Sequence, residues 1–190
     1  DHAFAFAYPS LLAHWRAQGA ALQFFSPLND EGPNDDADAV YLPGGYPELH
    51  AGRLAANDLF LSGVRQAAAR GAAVYGECGG YLVLGDALSD RHGDTHCFCG
   101  LLPLHSSFES PRLHLGYRRA KTVAKTPLGD AGLRFTVHEV HYASIIEEGP
   151  AAALFQVENA QGDAVSNSSG RAIGNVAGSF VHLIDGGAAS

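Results

Sequence analysis

Apolar positions along the chain fall into two kinds of pattern. From Ser10 to Gln18, Leu11, Leu12 and Trp15 share one helical face, with Ser10 able to cap the first turn and Gly19 as a stop. From Asn57 to Arg70 the helical spacing is clearer, with Leu59, Phe60, Val64 and Ala67 in register, Asn57 as cap and Gly71 as stop. Ala20 to Phe25, Ala39 to Leu42 and Ala72 to Tyr75 are instead short and uniformly apolar, as strands buried on both faces are. Ser26 to Asp38 is polar and rich in turn formers, hence a loop. Helices alternating with buried strands predict an α/β fold with a mostly parallel central sheet flanked by helices, whose ligands bind at the carboxyl ends of the strands. Beyond Asp90 the pattern changes. Leu113 to Val123, Arg134 to His138, Leu154 to Glu158 and Ala172 to Val176 read as strands joined by polar turns, a strand-rich and partly antiparallel C-terminal extension. Gly186 to Ser190 reads as a frayed tail, and residues 1–190 form one domain.

The densest chemical signal is Ala73 to Asp86, Ala-Val-Tyr-Gly-Glu-Cys-Gly-Gly-Tyr-Leu-Val-Leu-Gly-Asp. A short strand runs through a glycine-flanked turn into a helical pattern, and Cys78 sits at the bend, as a serine does in a nucleophile elbow. A thiol at a helix N-terminus is in an environment that favours thiolate; the plainer reading is a small packed cysteine beside a turn. Pro43-Gly44-Gly45-Tyr46-Pro47-Glu48 also follows a strand, and its glycines can turn amide hydrogens outward. Acyl transfer needs a thiolate, a base that later protonates the leaving amine, and donors for the oxyanion. Cys78 can supply the first, and the amides of Gly79 and of Gly44 or Gly45 the last. Of 10 histidines, His182 is attractive as base because it follows the last core strand, although a satisfied core histidine would look the same.

Two further clusters call for comparison. His92, His96, Cys97 and Cys99 are residue types that zinc binds, but no second pair stands at zinc-finger spacing, and a metal-free reading is preferred. His138-Glu139-Val140-His141-Tyr142 lies in a strand-like stretch and not on a helix as a zinc-protease motif would; its carboxylate and two histidines, alternating near a strand end, could line a substrate pocket or form a surface ladder, and no metal is expected. The phosphate-binding loop motif is absent, and the only lysines are Lys121 and Lys125. A formal charge of −8 argues against nucleic acid or an anionic membrane as partner. With 46% hydrophobic and 17% charged residues a large core is expected, with no membrane-spanning run. Three cysteines suggest no disulfide framework and point to the cytoplasm. The start at Asp1-His2-Ala3-Phe4 reads as a piece of a longer polypeptide.

Five motifs in order carry a resemblance: Tyr41-Leu42-Pro43-Gly44-Gly45-Tyr46-Pro47-Glu48, Tyr75-Gly76-Glu77-Cys78-Gly79-Gly80, Leu113-His114-Leu115-Gly116-Tyr117-Arg118, His138-Glu139-Val140-His141-Tyr142 and Gly178-Ser179-Phe180-Val181-His182. Together with Asp1-x-Ala3-Phe4 and Phe25-Ser26-Pro27-Leu28, they make the chain similar to the C-terminal glutamine amidotransferase domain of cobyrinic acid a,c-diamide synthases, the hydrogenobyrinic acid enzymes of cobalamin biosynthesis included. The resemblance implies a flavodoxin-like class I, triad-type glutaminase fold. Cys78 would attack glutamine and form a γ-glutamyl thioester, His182 would be base and then acid, and Gly45 and Gly79 would form the oxyanion hole. Gly44, Tyr46, Glu48, His141 and Tyr142 are candidates for the substrate pocket. Ammonia would pass to an N-terminal synthetase domain of the same polypeptide. There ATP and Mg2+ would activate the a and c carboxylates of the corrinoid, and the full-length enzyme would be a homodimer; no cofactor is expected in the glutaminase part.

Where related triads carry glutamate two residues after the histidine, this chain has Ile184. Asp1, Glu77 and Asp185 are the candidates for a third member, and a dyad also suffices for a thiolate. Alternatives are the glutaminase part of a sibling enzyme (cobyric acid synthase or lipid II isoglutaminyl synthase), a non-catalytic docking module of the same fold, or a cysteine-elbow hydrolase of flavodoxin-like type.

Overall fold

A computed structural model describes residues 1–188. In chain order the helices and strands are α1 (Pro9–Ala17), β1 (Ala39–Leu42), α2 (Ala51–Ala55), α3 (Asp58–Ala69), β2 (Ala73–Glu77), α4 (Gly79–Leu84), β3 (Ala87–Ser89), β4 (Thr95–Cys97), β5 (Leu104–Ser107), β6 (His114–Thr122), β7 (Arg134–His141), β8 (Ser144–Glu148), β9 (Ala152–Glu158), β10 (Ala164–Ile173), β11 (Val176–Ser179) and β12 (Val181–Ala188). Short 3-10 turns cover His2–Phe4, Pro27–Asn29 and Pro47–His50.

The main sheet has eight strands in the order β1-β2-β11-β10-β9-β6-β7-β12. Only β1, β2 and β11 run parallel to one another; from β11 outward every pairing is antiparallel. The α/β architecture is the expected one, with its parallel part confined to these three strands. A second sheet of four short strands, β4-β3-β5-β8, was not legible in the sequence.

One connection fixes the shape of the main sheet. Ser179 ends β11 in the parallel core and Val181 begins β12 at the far edge, with Phe180 alone between them. The sheet therefore curls until its last strand meets the carboxyl end of β2, where the Leu183 amide donates to Glu77 Oε2 at 3.0 Å. The curl brings both ends of the sheet to Cys78.

The amphipathic face of α3 seals one side of the parallel core. Phe60, Val64 and Ala67 are fully buried, and the Phe60 ring packs against Phe4 and Phe25 with centroids 6.2 and 6.4 Å away. A second cluster, including Val137, Leu154, Phe155 and Val181, fills the curled half. Where α4 crosses β1, no side chain fits: a Cβ on Gly80 would lie 1.9 Å from the Leu42 carbonyl oxygen.

Four expectations are corrected. Ala20 to Phe25 is not a strand: the segment joins no ladder, and only Leu22 and Phe25 are half-buried, so it packs by side chains alone. The side chains of Ser10 and Asn57 do not cap their helices. Asn57 donates to the Pro27 carbonyl at 2.7 Å, and α3 is capped from outside, by Asp30 Oδ1 accepting from the Phe60 amide at 2.9 Å. Ala172 to Val176 spans a turn between β10 and β11, which Gly174 makes with φ of 56°. Gly186 to Ala188 is no frayed tail, since its backbone pairs with β7 opposite Phe135 and Arg134; Ala189 and Ser190 lie outside the described residues.

Candidate active site

Cys78 is the single residue between β2 and α4, with φ 50° and ψ −104°. A non-glycine residue rarely takes such a conformation, and it persists only where the surroundings enforce it. Here the Cys78 amide donates to the Ser179 carbonyl at 2.8 Å and the Cys78 carbonyl accepts from Leu82 at 3.2 Å. The thiol is thereby fixed at the carboxyl end of the parallel strands, where it donates to the Val140 carbonyl of β7 at 3.4 Å.

His182, on β12, comes to the same place from the opposite edge of the sheet. It is 1% exposed. A Cβ on Gly44 would lie 2.5 Å from His182 Cε1 and 3.4 Å from Cys78 Cβ, so Gly44 lines the contact between the two and has to be glycine. Of the three candidates for a third member, Glu77 is the one next to His182. Glu77, 0% exposed, places Oε1 at 3.1 Å from His182 Nδ1, a close ion pair bent away from the line of a straight hydrogen bond. The same carboxylate accepts from Tyr41 Oη at 3.0 Å and, through Oε2, from the Leu183 amide. Asp1 is elsewhere, accepting from the amides of Ala3 and Leu28 and from Ser26 Oγ. Asp185 is on the exposed continuation of β12, beside Arg119, Lys121 and Arg134.

Burial alone would push the His182 pKa down. The neighbouring Cys78 and Glu77 outweigh it and raise the pKa to about 9, which favours the imidazolium. The neighbouring groups conform to that charge pattern. His138, opposite His182 in the β7–β12 ladder, is held below the usual histidine range by burial and then by the His182 charge. Burial and the Glu77 carboxylate both push the Tyr8, Tyr41 and Tyr75 phenols up, so they stay neutral. Phe6 and Tyr8 cover the imidazole, with ring centroids 6.5 and 6.3 Å from it.

Gly45 and Gly79 lie close together next to the elbow. A Cβ on Gly79 would lie 3.1 Å from the Gly45 nitrogen, and among the described residues no backbone carbonyl accepts from either amide. Two free N–H groups beside an elbow thiol are what an oxyanion needs. Tyr46 stands half-exposed, edge-on to Phe6 at 5.1 Å. Glu48 and Tyr142 line a cavity next to this loop, and burial lifts the Glu48 carboxyl to about 7. The His141 ring stacks on Phe180 at 4.0 Å and on His114 at 4.5 Å, and its Nδ1 meets the Ala143 carbonyl.

His114, Glu139 and His141 bring three donor atoms within 4.8 Å of one another, a grouping missed in the sequence because His114 is contributed by the facing strand β6. Such a set could hold a divalent cation, although Arg118 already pairs with one Glu139 oxygen at 3.3 Å. His92, His96, Cys97 and Cys99 do not converge: His96 pairs with Asp90, Cys97 is exposed, and burial pushes the Cys99 thiol up to about 12. Sequence reasoning also missed Tyr41 as an anchor of Glu77, for which the signal was a polar tip in an apolar strand.

A strained cysteine elbow, a buried histidine–carboxylate pair and two amides that no backbone carbonyl accepts from are gathered at the carboxyl ends of the parallel strands. The model of the CobB/CobQ-like glutamine amidotransferase domain matches residues 2–189, so the chain belongs to that family and is a glutamine amidotransferase domain. Hydrogenobyrinate a,c-diamide synthases are similar: that of Brucella anthropi is 54% identical over 185 residues, and that of Rhodobacter capsulatus 50% over 186, with 97% and 98% of this chain covered. The chain spans 42% of the length of these relatives. A glutamine amidotransferase from Thermotoga maritima shares the fold, with a TM-score of 0.57 at 15% identity over 90% of this chain and 68% of that one. A second glutamine amidotransferase gives 0.57 at 17% identity, over 90% and 82%. No helix among the described residues is long and apolar enough to cross a membrane.

Proposed function

We propose that this chain hydrolyses glutamine to glutamate and ammonia by covalent catalysis at Cys78. The sulfur attacks the side-chain amide carbon, and the Gly45 and Gly79 amides receive the negative charge that develops on oxygen. The C–N bond breaks as His182 gives its proton to the departing nitrogen, leaving a γ-glutamyl thioester and free ammonia. Water then attacks the thioester, His182 takes its proton, and glutamate leaves with the thiol restored. Glu77 orients the imidazole and stabilises its charged form. The observation that carries this reading is the buried Cys78, His182 and Glu77 group at the elbow, in a chain of a glutamine amidotransferase family.

The ammonia serves the ATP- and Mg2+-dependent amidation of the a and c carboxylates of hydrogenobyrinic acid in cobalamin biosynthesis, carried out in the cytoplasm by a synthetase region of the same polypeptide. Support comes from relatives 50–54% identical over nearly the whole chain and named for that reaction. The test supplies the full-length polypeptide with amide-15N glutamine, ATP, Mg2+ and hydrogenobyrinic acid. The expected result is 15N in both new amides, lost in Cys78→Ala but restored by free ammonia. Amidation by Cys78→Ala at the wild-type rate with glutamine would overturn it.

A further inference from the structure

His114, Glu139 and His141 take no part in the chemistry at Cys78 and meet on the β6–β7 hairpin. His114 faces His141 directly across the ladder, and Glu139 is two residues from His141 on the same face of β7. Gly116, the partner of Glu139, contributes no side chain, and the Arg118 guanidinium fills the space above it. Two imidazoles and one carboxylate are thereby brought together, with one donor atom of each within 4.8 Å of the others.

Each donor is held as a metal ligand is held. The Ala143 carbonyl can only accept, so His141 Nδ1, at 3.1 Å from it, carries a proton, and the neutral ring turns its Nε2 lone pair to Glu139 Oε1. The ring is further fixed between Phe180 and His114, with centroids 4.0 and 4.5 Å away. Metal-ligating histidines are oriented in this manner, through the nitrogen that does not touch the metal. Arg118 Nε pairs with Glu139 Oε2 at 3.3 Å, which orients the carboxylate and leaves Oε1 on the His141 side; its charge weakens the pull on a second cation without blocking it. His141 Nε2 and Glu139 Oε1 are 3.4 Å apart, about the separation of two tetrahedral ligands with bonds to zinc of roughly 2.0–2.2 Å. His114 is exposed and stacked parallel to His141, so a tilt of its ring out of the stack closes the remaining gap. With nothing between them, the Nε2 lone pair and the carboxylate face each other as two acceptors. A proton relieves that, and a metal ion relieves it while also engaging His114.

We propose that His114, Glu139 and His141 bind a divalent transition-metal ion of the Zn2+ class through two nitrogens and one oxygen. Mg2+ and Ca2+ take oxygen ligands and suit this donor set poorly. The site does not depend on glutamine hydrolysis. Its consequence for the fold is a tie between the ends of β6 and β7 next to Val140, whose carbonyl accepts from Cys78.

The test titrates Zn2+ into the chelator-stripped full-length polypeptide in excess Mg2+, with calorimetry reading affinity and stoichiometry. Cys78→Ala serves as parent, so that the thiolate does not compete for zinc. The expected result is one equivalent of Zn2+ whose affinity falls at least tenfold in each of His114→Gln, Glu139→Gln and His141→Gln. His114→Gln alters an exposed side chain, so its metal-free thermal midpoint should match the parent's, and lost uptake then reports a lost ligand. No uptake by the parent, or the same affinity in His114→Gln, would overturn the site. Loss in both histidine variants with Glu139→Gln unchanged would overturn the three-ligand assignment.

Discussion

Glu77→Gln is the most informative single substitution, because it removes a charge while keeping the shape. A glutamine side chain keeps the shape and can still accept from the Leu183 amide through its single oxygen, while its NH2 stands where Oε1 accepted from Tyr41 Oη, whose hydroxyl oxygen can accept in turn; the charge at 3.1 Å from His182 Nδ1 is lost. The rise of the His182 pKa from 6.5 to about 9 is a net preference for imidazolium of about 3 kcal/mol. Burial opposes that preference, so Cys78 alone has to sustain it once Glu77 is neutral. Loss of an opposite charge at this range lowers a pKa by about 1 to 3 units. The sign for stability follows from the raised value. The contribution of His182 is fully present below pH 6.5 and is lost as pH rises through about 9; in Glu77→Gln the loss begins at lower pH. Protonated His182 is also the acid that releases ammonia, so the alkaline limb of the glutaminase profile should move down by the same interval. The assay is a nitrogen-15 NMR titration of histidine-labelled protein, accompanied by kcat/KM against pH. A His182 titration within half a unit of wild type would refute the ion-pair reasoning.

Three other outcomes are expected. Gly44→Ala places a methyl group 2.5 Å from His182 Cε1; it should fold, as circular dichroism would report, yet lose at least a hundredfold in kcat, and near-normal turnover would contradict the assigned contact. Under native conditions at pH 8 a disulfide reagent should modify exposed Cys97 readily, whereas Cys99, buried and with its thiol pushed up to about 12, should react only after denaturation; mass spectrometry of the peptides separates the two. Phe60→Ala empties a fully buried site between Phe4 and Phe25 and should cost about 3–5 kcal/mol, read as a lower midpoint in urea, and a cost below about 1 kcal/mol would mean that α3 does not seal the core as described.

Local chemistry was the legible part of the sequence. Glycines around Cys78 and the double glycine after β1 mark backbone that must bend or approach closely, and both turned out to flank the thiol. The helical spacing of α3 was equally plain, but its cap was not: Asp30 reaches it from a loop distant in sequence, while Asn57, locally the better candidate, is turned to Pro27. The same limit applied to the sheet. Ala20 to Phe25 has strand composition, but a strand needs a ladder partner, and composition does not supply one. Glu77 was one of three open candidates because what joins it to His182 is the curl of the sheet, set by the single residue between β11 and β12. His114 was missed as a neighbour of Glu139 and His141 for a related reason, since cross-strand register is fixed by the whole hairpin.

Trapping the covalent intermediate tests glutamine attack by Cys78 most directly. The polypeptide would be mixed with glutamine, quenched in acid within milliseconds to seconds, and examined as intact protein and as peptides by mass spectrometry. The expected result is a glutamyl adduct on the Cys78 peptide, discharged by hydroxylamine as a thioester should be, and absent in Cys78→Ser. Glutamate formation at an undiminished rate in Cys78→Ser, or a glutamyl adduct on any other residue, would contradict it.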